Sequence, residues 1–235
     1  MIGERLVSLV VPTYNEDATI VELLRRSTAL DMRLEIVVVD DGSTDRTAEL
    51  LRPLVDEIDE LRVIHLDENR GKGAAVRAGI RATTGDFVVI QDADLEYDPK
   101  DLPVLLGPMF AGHADAVYGT RLRGGEPQRA HLFWHYAGNR LLSLMTGVLY
   151  NTTLSDMEVG YKAFRGDLIR SLRLVSDDFR FEPEVTAKLL RTPGVRVYEV
   201  PISYYGRTFA EGKKITWRDG IKAVGALVRF RFGPR

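Results

Sequence analysis

Several features that the sequence lacks narrow its function. It contains no cysteine, which excludes disulfides, thiolate metal sites and cysteine nucleophiles. Its longest apolar stretch, residues 141–150, reaches about half of the roughly 20 residues that a membrane-spanning helix needs. The formal net charge of -2 gives no general attraction to nucleic acids, and the four histidines show no zinc-binding spacing. Binding of anions therefore depends on local groups of cations.

The first 120 residues alternate short apolar runs with helical segments. With 235 residues and 45% hydrophobic content, the chain can form one large domain or two small ones. The strand candidates are residues 6–11, 35–39, 62–66, 87–90 and 116–118, and the helix candidates are residues 17–30, 45–58 and 73–82. Consecutive apolar positions are typical of buried parallel strands. The order predicts an α/β fold with a doubly wound, mostly parallel sheet and a ligand site at the carboxyl ends of the strands.

The alternation stops after about residue 121. Helices are predicted at residues 130–149, 182–191 and 216–232, and extended segments at residues 157–164 and 195–202. These elements predict a smaller α+β layer packed against the same sheet. We expect residues 1–235 to form a single domain, with a first half at 1–120 and a second half at 121–235.

Two acidic clusters each follow a predicted strand. The first is VDDGSTD at residues 39–45, and the second is QDADLE at residues 91–96. Carboxylates one residue apart can place several oxygens around a hard divalent cation, which completes its shell with water and a diphosphate. The same residues are also common in turns and helix caps, so each motif alone is weak. Their joint occurrence after strands favours a metal and nucleotide site.

Six short motifs occur in the order shown by one enzyme family. They are VPTYNE (11–16), VDDGSTD (39–45), NRGKGAA (69–75), QDADL (91–95), GTR (119–121) and SDMEVGYK (155–162). Each is loose by itself, but six in this order are highly specific. On these motifs the chain resembles family 2 glycosyltransferases of the GT-A fold, in the dolichol-phosphate mannose synthase-like, polyprenyl-phosphate branch. The resemblance extends from residue 5 to about residue 215.

The resemblance implies which residues bind a sugar nucleotide, and it makes residues 1–120 the donor half of a catalytic domain. Pro12, Tyr14, Glu16 and Asp41 would line the base and ribose pocket, where the Asp41 carboxylate can accept a hydrogen bond from a base N–H. Lys72 would approach the nucleotide through its ammonium group. As a bare pattern, the glycines around Lys72 indicate a helix start equally well.

The resemblance also implies a bound Mg²⁺ or Mn²⁺ ion. Asp94 would be its principal ligand, Asp92 would face both the ribose and the metal, and Glu96 would complete the set. Family members often have Gln where Glu96 stands. A carboxylate at this position either binds the ion more tightly or faces solvent.

The second half carries cations that are expected to meet phosphate groups. The planar fork of arginine binds phosphate with two hydrogen bonds. The candidates are Arg121, Arg123, Arg129, Arg207, Lys213 and Lys214. We expect Arg121 and Arg207 to act in catalysis with Asp94, and Arg129 and Lys213 to help bind the nucleotide sugar. The alternative is that most of these cations are solvated at the surface.

The nature of the acceptor decides whether a general base is needed. A lipid phosphate is already ionised at neutral pH, so an in-line attack on the anomeric carbon requires orientation and leaving-group stabilisation. A hydroxyl acceptor would need a base, and Asp156 or Glu158 is the expected supplier. We therefore include Asp156 among the predicted catalytic residues.

The leading hypothesis is an inverting transfer of a hexose, mannose or glucose, from a GDP- or UDP-sugar to a polyprenyl (dolichyl-type) phosphate. Three alternatives remain open. The same donor chemistry can act on a hydroxyl of a glycan or small molecule, or the chain can bind nucleotide sugars without catalysis. A nucleotidyltransferase also uses metal carboxylates on such a sheet, but the chain lacks the expected glycine-rich, arginine-containing loop near its N-terminus.

Two predicted helices have features of membrane contact without a membrane span. Residues 130–149 carry more apolar surface than a one-sided helix needs, and residues 222–232 mix aromatics with cations, as an interfacial helix does. Core packing with a basic outer edge explains both about equally well. We expect a cytoplasmic enzyme that is peripheral on the cytosolic face of a membrane, directly or through a membrane-protein partner, with no nucleic-acid partner.

Overall fold

The structure is a computed structural model that describes residues 5–124, 129, 133–207 and 217–233. The strands in these residues are β1 (Val7–Thr13), β2 (Leu34–Asp40), β3 (Leu61–His65), β4 (Phe87–Ile90), β5 (Ala116–Thr120), β6 (Lys162–Arg165) and β7 (Val197–Pro201). The first five agree with the predicted strands to within two residues at each end. Consecutive apolar residues in β1, β2, β4 and β5 favour strands that are buried on both faces, whereas the edge strand β3 is partly exposed.

The helices of the described chain fall between and after these strands. They are α1 (Ile20–Thr28), α2 (Thr47–Glu57), α3 (Lys72–Ala82), α4 (Leu102–Phe110), α5 (Phe133–Tyr150), α6 (Gly166–Ser171), α7 (Phe181–Leu190) and α8 (Trp217–Phe232), with a short 3-10 helix at Pro99–Asp101. The sequence did not predict α4 or α6. The segment LPVLLGPMF of α4 is apolar at almost every position and contains two prolines, so it shows no helical period.

The strands form one sheet in the order β3-β2-β1-β4-β6-β5-β7. Strand β1 pairs in parallel with both β2 and β4, placing Thr13 opposite Asp40 and Val10 opposite Ile90. The strand order reverses between β1 and β4, which opens a crevice at the carboxyl ends of these strands. The predicted α/β fold with a doubly wound, mostly parallel sheet is confirmed.

Strand β6 is antiparallel to its neighbours β4 and β5. Its first residue, Lys162, lies opposite Ile90 and Tyr118, close to the carboxyl ends of both neighbours. Residues that precede β6 therefore reach the same edge of the sheet as residues that follow β4 and β5. The predicted extended segment is wrong for residues 157–161, which form a turn and irregular backbone, because the chain must turn before it enters β6 in the opposite direction.

The second half contributes β6 and β7 to this sheet, while α8 packs against α5 and α7 beside it. Leu142 of α5, Met157, and Ala223 and Leu227 of α8 form a small buried cluster. The opposite side of α5 is apolar and exposed, with Trp134 81% and Val148 78% accessible. Among the helices that the structure describes, none combines the length and hydropathy required to cross a bilayer.

Helix α3 approaches β1 and β2 at Gly79. A Cβ atom added there would lie 2.4 Å from Cγ1 of Val10 and 3.3 Å from Cγ2 of Val39, both of which are fully buried. Burial of a valine side chain contributes about 1.5–3 kcal/mol, and close packing is needed to keep that contribution. Glycine at this position therefore determines how closely α3, which begins with Lys72, packs on the sheet.

Gly79→Ala is expected to lower the free energy of unfolding by about 1–3 kcal/mol, because the added methyl group overpacks the contact with Val10. Gly107→Ala in α4 is the matched control, since no atom lies within 4 Å of its added Cβ. Alanine favours a helix over glycine by about 1 kcal/mol, so this variant should be as stable as the parent or more stable. Urea unfolding followed by circular dichroism measures both. Equal stability of the two variants would contradict the packing of α3 on β1.

Candidate functional site

A cavity of about 370 Å³ opens at the carboxyl edge of the sheet. Residues that the sequence predicted for the site and that line the cavity are Pro12, Tyr14, Glu16, Asp41, Lys72, Asp92, Asp94, Glu96, Arg121 and Arg207. The lining also includes residues that the sequence did not predict, among them Thr13, Tyr97, Phe179, Glu182 and Tyr204. Parallel strands explain this convergence, because their carboxyl ends meet at one edge of the sheet.

Asp41 follows β2 and holds the loop that leads into α3. Its two carboxylate oxygens accept hydrogen bonds from the backbone N–H groups of Arg70 (2.9 Å) and Gly71 (2.7 Å). Gly71 has a φ of +100°, and a Cβ added there would lie 2.6 Å from the carbonyl oxygen of Asp177. Burial raises the pKa of Asp41. Each oxygen keeps a second lone pair, so Asp41 can still accept from a nucleotide base as predicted.

A chain of ion pairs runs from the wall of the cavity into the protein, with two partly exposed members and two buried ones. Lys72 Nζ lies 2.8 Å from Oδ1 of Asp92 and 3.1 Å from Oε1 of Glu182, and Glu182 also pairs with the fully buried Lys162. Burial acts to lower the pKa of Lys72, but Asp92 and Glu182 outweigh it and raise that pKa. Burial likewise acts to raise the pKa of Glu182, and Lys162 and Lys72 lower it below its ordinary value. Lys72 and Glu182 are therefore charged at neutral pH.

The acidic motif after β4 turns through an unusual backbone conformation. Leu95 has a φ of +58°, and the N–H of Glu96 donates to Oδ1 of Asp94 (3.1 Å). Glu96 does not face open solvent, because both of its carboxylate oxygens are hydrogen-bonded. Its Oε2 accepts from the hydroxyl of Tyr204 (2.8 Å), and its Oε1 accepts from the backbone N–H of Arg207 (2.7 Å). A non-glycine residue at positive φ costs energy and is typical of functional sites.

Arg207 binds carboxylates from two different loops. Its Nη2 lies 2.8 Å from Oδ2 of Asp94, and its Nη1 lies 3.1 Å from Oε2 of Glu16. Burial raises the pKa of Asp94 to about 7, and the charges of Asp92 and Glu96 add to the effect. Repulsion among the three carboxylates thus persists although Arg207 is close to Asp94.

The three predicted metal ligands are engaged with protein cations in this structure. Within the described ranges, no group of three or more acidic or histidine side chains is arranged to hold a metal ion. The donor set nevertheless suits a hard cation, because Asp92, Asp94 and Glu96 present only oxygen atoms. The lining of the cavity holds seven carboxylates and three cationic side chains. A diphosphate would be repelled by this excess unless a cation entered with it.

Arg121 follows β5 and is held by a buried carboxylate. Its Nε and Nη2 each donate to Asp156 at 2.7 Å, and its backbone N–H donates to the same residue at 3.0 Å. Asn139 Nδ2 also donates to Asp156 (2.7 Å), and the guanidinium lies 5.0 Å above the ring of Tyr204. Burial acts to raise the pKa of Asp156, but Arg121 and Asn139 together hold it below its ordinary value. Such a carboxylate is a poor proton acceptor, and it orients Arg121 instead.

Glu158 lines the cavity and differs from Asp156 in its hydrogen bonding and in the direction of its pKa shift. Its Oε1 is shielded from solvent and has no hydrogen-bond partner among the described residues. Burial raises its pKa to about 7, and the nearby charge of Glu182 adds to the effect. Of the two acids that the sequence offered as a base, Glu158 has the better-matched pKa.

The remaining predicted cations lie elsewhere. Arg129 donates from Nη1 to the carbonyl oxygen of Gly206 (2.9 Å) and does not line the cavity. Arg123 pairs with Glu199 (3.1 Å) beside a separate groove along α5. Lys213 and Lys214 lie outside the described residues.

A family model, Glycosyl transferase family 2, matches residues 8–173, which include strands β1 to β6 except for the first residue of β1. The chain belongs to glycosyltransferase family 2. The resemblance carried by the six motifs is confirmed, and the protein is a glycosyltransferase by family.

Curated relatives cover nearly all of this glycosyltransferase chain. It is 31% identical over 237 residues to the dodecaprenyl-phosphate galacturonate synthase of Rhizobium johnstonii, across 97% of this chain and 68% of the relative. It is 32% identical over 213 residues to the undecaprenyl-phosphate 4-deoxy-4-formamido-L-arabinose transferase of Pseudomonas aeruginosa, across 88% of this chain and 60% of that relative. The chain thus spans about two thirds of the length of these proteins, and both of them are named for a polyprenyl phosphate.

Solved structures share the fold. One is the glucosyl-3-phosphoglycerate synthase of Mycobacterium tuberculosis in complex with Mn²⁺, UDP and phosphoglyceric acid. It superposes with a TM-score of 0.74 and 22% identity, covering 99% of this chain and 80% of that one. At this level of identity the likeness shows the GT-A fold alone.

Asp156→Ala is expected to destabilise the protein by about 3–5 kcal/mol, because it leaves the buried guanidinium of Arg121 without a counter-charge. The double variant Asp156→Ala/Arg121→Met should lose less free energy of unfolding than Asp156→Ala does, since it contains no unpaired buried charge. Asp167→Ala is the exposed control, whose ion pair with Arg165 should contribute less than about 1 kcal/mol. Denaturant unfolding measures all three. A double variant less stable than Asp156→Ala would contradict the role of Asp156 as the counter-charge of Arg121.

Proposed function

We propose that the protein transfers a hexose, with inversion at the anomeric carbon, from a GDP- or UDP-sugar to a polyprenyl phosphate. One observation carries the proposal. A single cavity joins an acidic motif suited to a metal-bound diphosphate with a fixed arginine suited to a second phosphate. The names of the two curated relatives support the choice of acceptor.

The donor half is assigned to residues 1–120 of a single catalytic domain. Asp94, Asp92 and Glu96 would hold Mg²⁺ or Mn²⁺, which would neutralise negative charge on the departing nucleoside diphosphate. Lys72 holds Asp92 in place from below. Glu16 and Asp94 share Arg207, so this guanidinium lies where it can bind an oxygen of the diphosphate.

The acceptor half is assigned to residues 121–235. Arg121 would orient a phosphate acceptor for in-line attack, because Asp156 and Asn139 fix the position of its guanidinium. The depressed pKa of Asp156 favours an acceptor that is already ionised and needs no base. A hydroxyl acceptor is the second candidate, and it is favoured by the pKa of Glu158 near 7.

An apolar face on α5 and α8 supports contact with a membrane surface. Trp134, Leu141, Leu144 and Val148 are exposed on α5 at helical spacing, with Leu142 buried on the other side. On α8, exposed residues follow the same kind of spacing, namely Ile221, Val228 and Phe232. Arginines at positions 229 and 231 flank this face, as in interfacial helices that bind anionic lipids. A polyprenyl phosphate would then reach Arg121 from the bilayer.

Transfer is expected with at least one of UDP-glucose, UDP-galactose, UDP-galacturonate and GDP-mannose, a short polyprenyl phosphate, and Mg²⁺ or Mn²⁺. Radiolabelled sugar should appear in the organic phase. Asp94→Asn should lose at least about 100-fold in metal-dependent turnover, because mutations of groups that stabilise the leaving charge cost this much. Its circular dichroism spectrum should be unchanged. Failure of every donor to label the lipid, or full activity of Asp94→Asn, would overturn the proposed function.

Leu144→Glu/Val148→Glu is expected to weaken binding to phosphatidylglycerol vesicles by about tenfold or more, because it places charge in the apolar face. Val104→Glu/Val175→Glu is the control, since it adds the same two charges at exposed positions that lie outside α5 and α8. Co-sedimentation at several salt concentrations measures the affinity. Equal binding of the two variants would show that this face does not meet the membrane.

A further inference from the structure

Glu158 is the carboxylate of the cavity that the proposed mechanism with a phosphate acceptor leaves unused. Its Oε1 is shielded from solvent, and the side chain makes no hydrogen bond or ion pair with any residue that the structure describes. The two cations whose charges act on Glu158 already have other partners. Lys162 pairs with Glu182, and Arg121 pairs with Asp156. Among the residues that the structure describes, Glu158 therefore has no partner of its own.

Such a group is costly to maintain. A buried polar atom without a partner loses its hydration and gains nothing in return, and the penalty is larger for a charge. The neighbouring charge of Glu182 adds repulsion. An unpaired polar atom at the wall of a binding cavity points to a ligand atom that completes its hydrogen bonds.

The position of Glu158 indicates which part of a ligand it would meet. Two residues before it, Asp156 holds Arg121 on the acceptor side. Two residues after it, Gly160 touches the donor side so closely that an added Cβ would lie 2.2 Å from Oδ2 of Asp92. A segment of five residues thus connects the two halves of the cavity, with Glu158 at its centre. The transferred sugar has to lie between the same two halves.

We propose that Glu158 accepts a hydrogen bond from a hydroxyl or N–H group of the transferred sugar and so selects the sugar. The inference rests on the proposed function and extends it to sugar specificity. A carboxylate acceptor favours neutral sugars with a donor group at this position, and it repels sugars that carry a carboxylate there. Where that group is the one at C6, the protein should prefer UDP-galactose, which has a hydroxyl there, over UDP-galacturonate, which has a carboxylate there.

Binding measurements with and without the sugar test the contact directly. Glu158→Ala should weaken binding of the preferred sugar nucleotide by about 10- to 100-fold, the range expected for one hydrogen bond to a charged group. Binding of UDP or GDP alone, in the presence of Mg²⁺, should change less than about twofold. Glu158→Gln keeps an acceptor oxygen, so it should bind the preferred sugar nucleotide more tightly than Glu158→Ala does. Because it lacks the negative charge, it should also show a smaller preference for UDP-galactose over UDP-galacturonate where the contact is at C6.

Sugar nucleotides that lack one hydroxyl of the sugar identify the group that Glu158 contacts. In the parent protein, removal of one hydroxyl of the preferred sugar should reduce kcat/KM as much as Glu158→Ala does. In Glu158→Ala the same removal should have no further effect, which is the signature of a direct contact in a double-mutant cycle. Glu57→Ala, at the exposed end of α2, is the control for an ordinary glutamate substitution.

Stability separates this role from a structural one. Because Glu158 has no partner in the described part of the chain, Glu158→Gln should unfold at the same temperature as the parent protein or a higher one when no ligand is bound. A lower unfolding temperature would show that Glu158 stabilises the fold and would overturn the proposal.

The remaining outcomes are distinct. If Glu158→Ala lost as much affinity for the free nucleotide as for the sugar nucleotide, the sugar contact would be overturned and the proposed function would remain intact. Loss of turnover in Glu158→Gln with unchanged sugar-nucleotide binding would assign Glu158 as a general base for a hydroxyl acceptor and overturn the proposal. Absence of saturable binding of every sugar nucleotide to the parent protein would overturn the proposed function and this inference together.

Discussion

The arrangement of residues around the cavity depends on the chain of ion pairs formed by Asp92, Lys72, Glu182 and Lys162. These residues come from the loop after β4 and from α3, α7 and β6, so four elements distant in sequence meet at one set of ion pairs. A buried charge is tolerated only when a partner of opposite sign is held close to it. The chain of pairs therefore constrains the four elements to one arrangement, and the carboxylate of Asp92 is positioned by the fold before any ligand binds.

A separate pair, Arg121 and Asp156, has a different task. Asp156 accepts three hydrogen bonds from Arg121 and one from Asn139, so it orients the arginine and is a poor proton acceptor. Glu158, two residues further, shares the same segment but has no partner among the residues described. Similar acids that lie so close together acquire different properties because one of them faces a cation and the other faces the cavity.

Much of the candidate site could be predicted from local sequence. The strands were recognisable from apolar runs, and a parallel sheet brings the residues after them to one edge, which placed Asp41, Asp92 and Asp94 together. Glu182 and Tyr204 were not predicted, because neither stands in a motif and each reaches the cavity through contacts across the chain. The turn at residues 157–161 was mistaken for a strand, since its apolar residues Met157, Val159 and Tyr161 are buried in the core by tertiary contacts.

The sequence by itself determined the alternation of strands and helices, the acidic motifs at the strand ends and the family. These properties depend on neighbours along the chain, such as apolar periodicity and the spacing of carboxylates. Only the tertiary structure decided which acids are paired, because pairing depends on distances between residues far apart in sequence. It assigned Glu96 to Tyr204 and Arg207, Asp156 to Arg121, and left Glu158 open to the cavity.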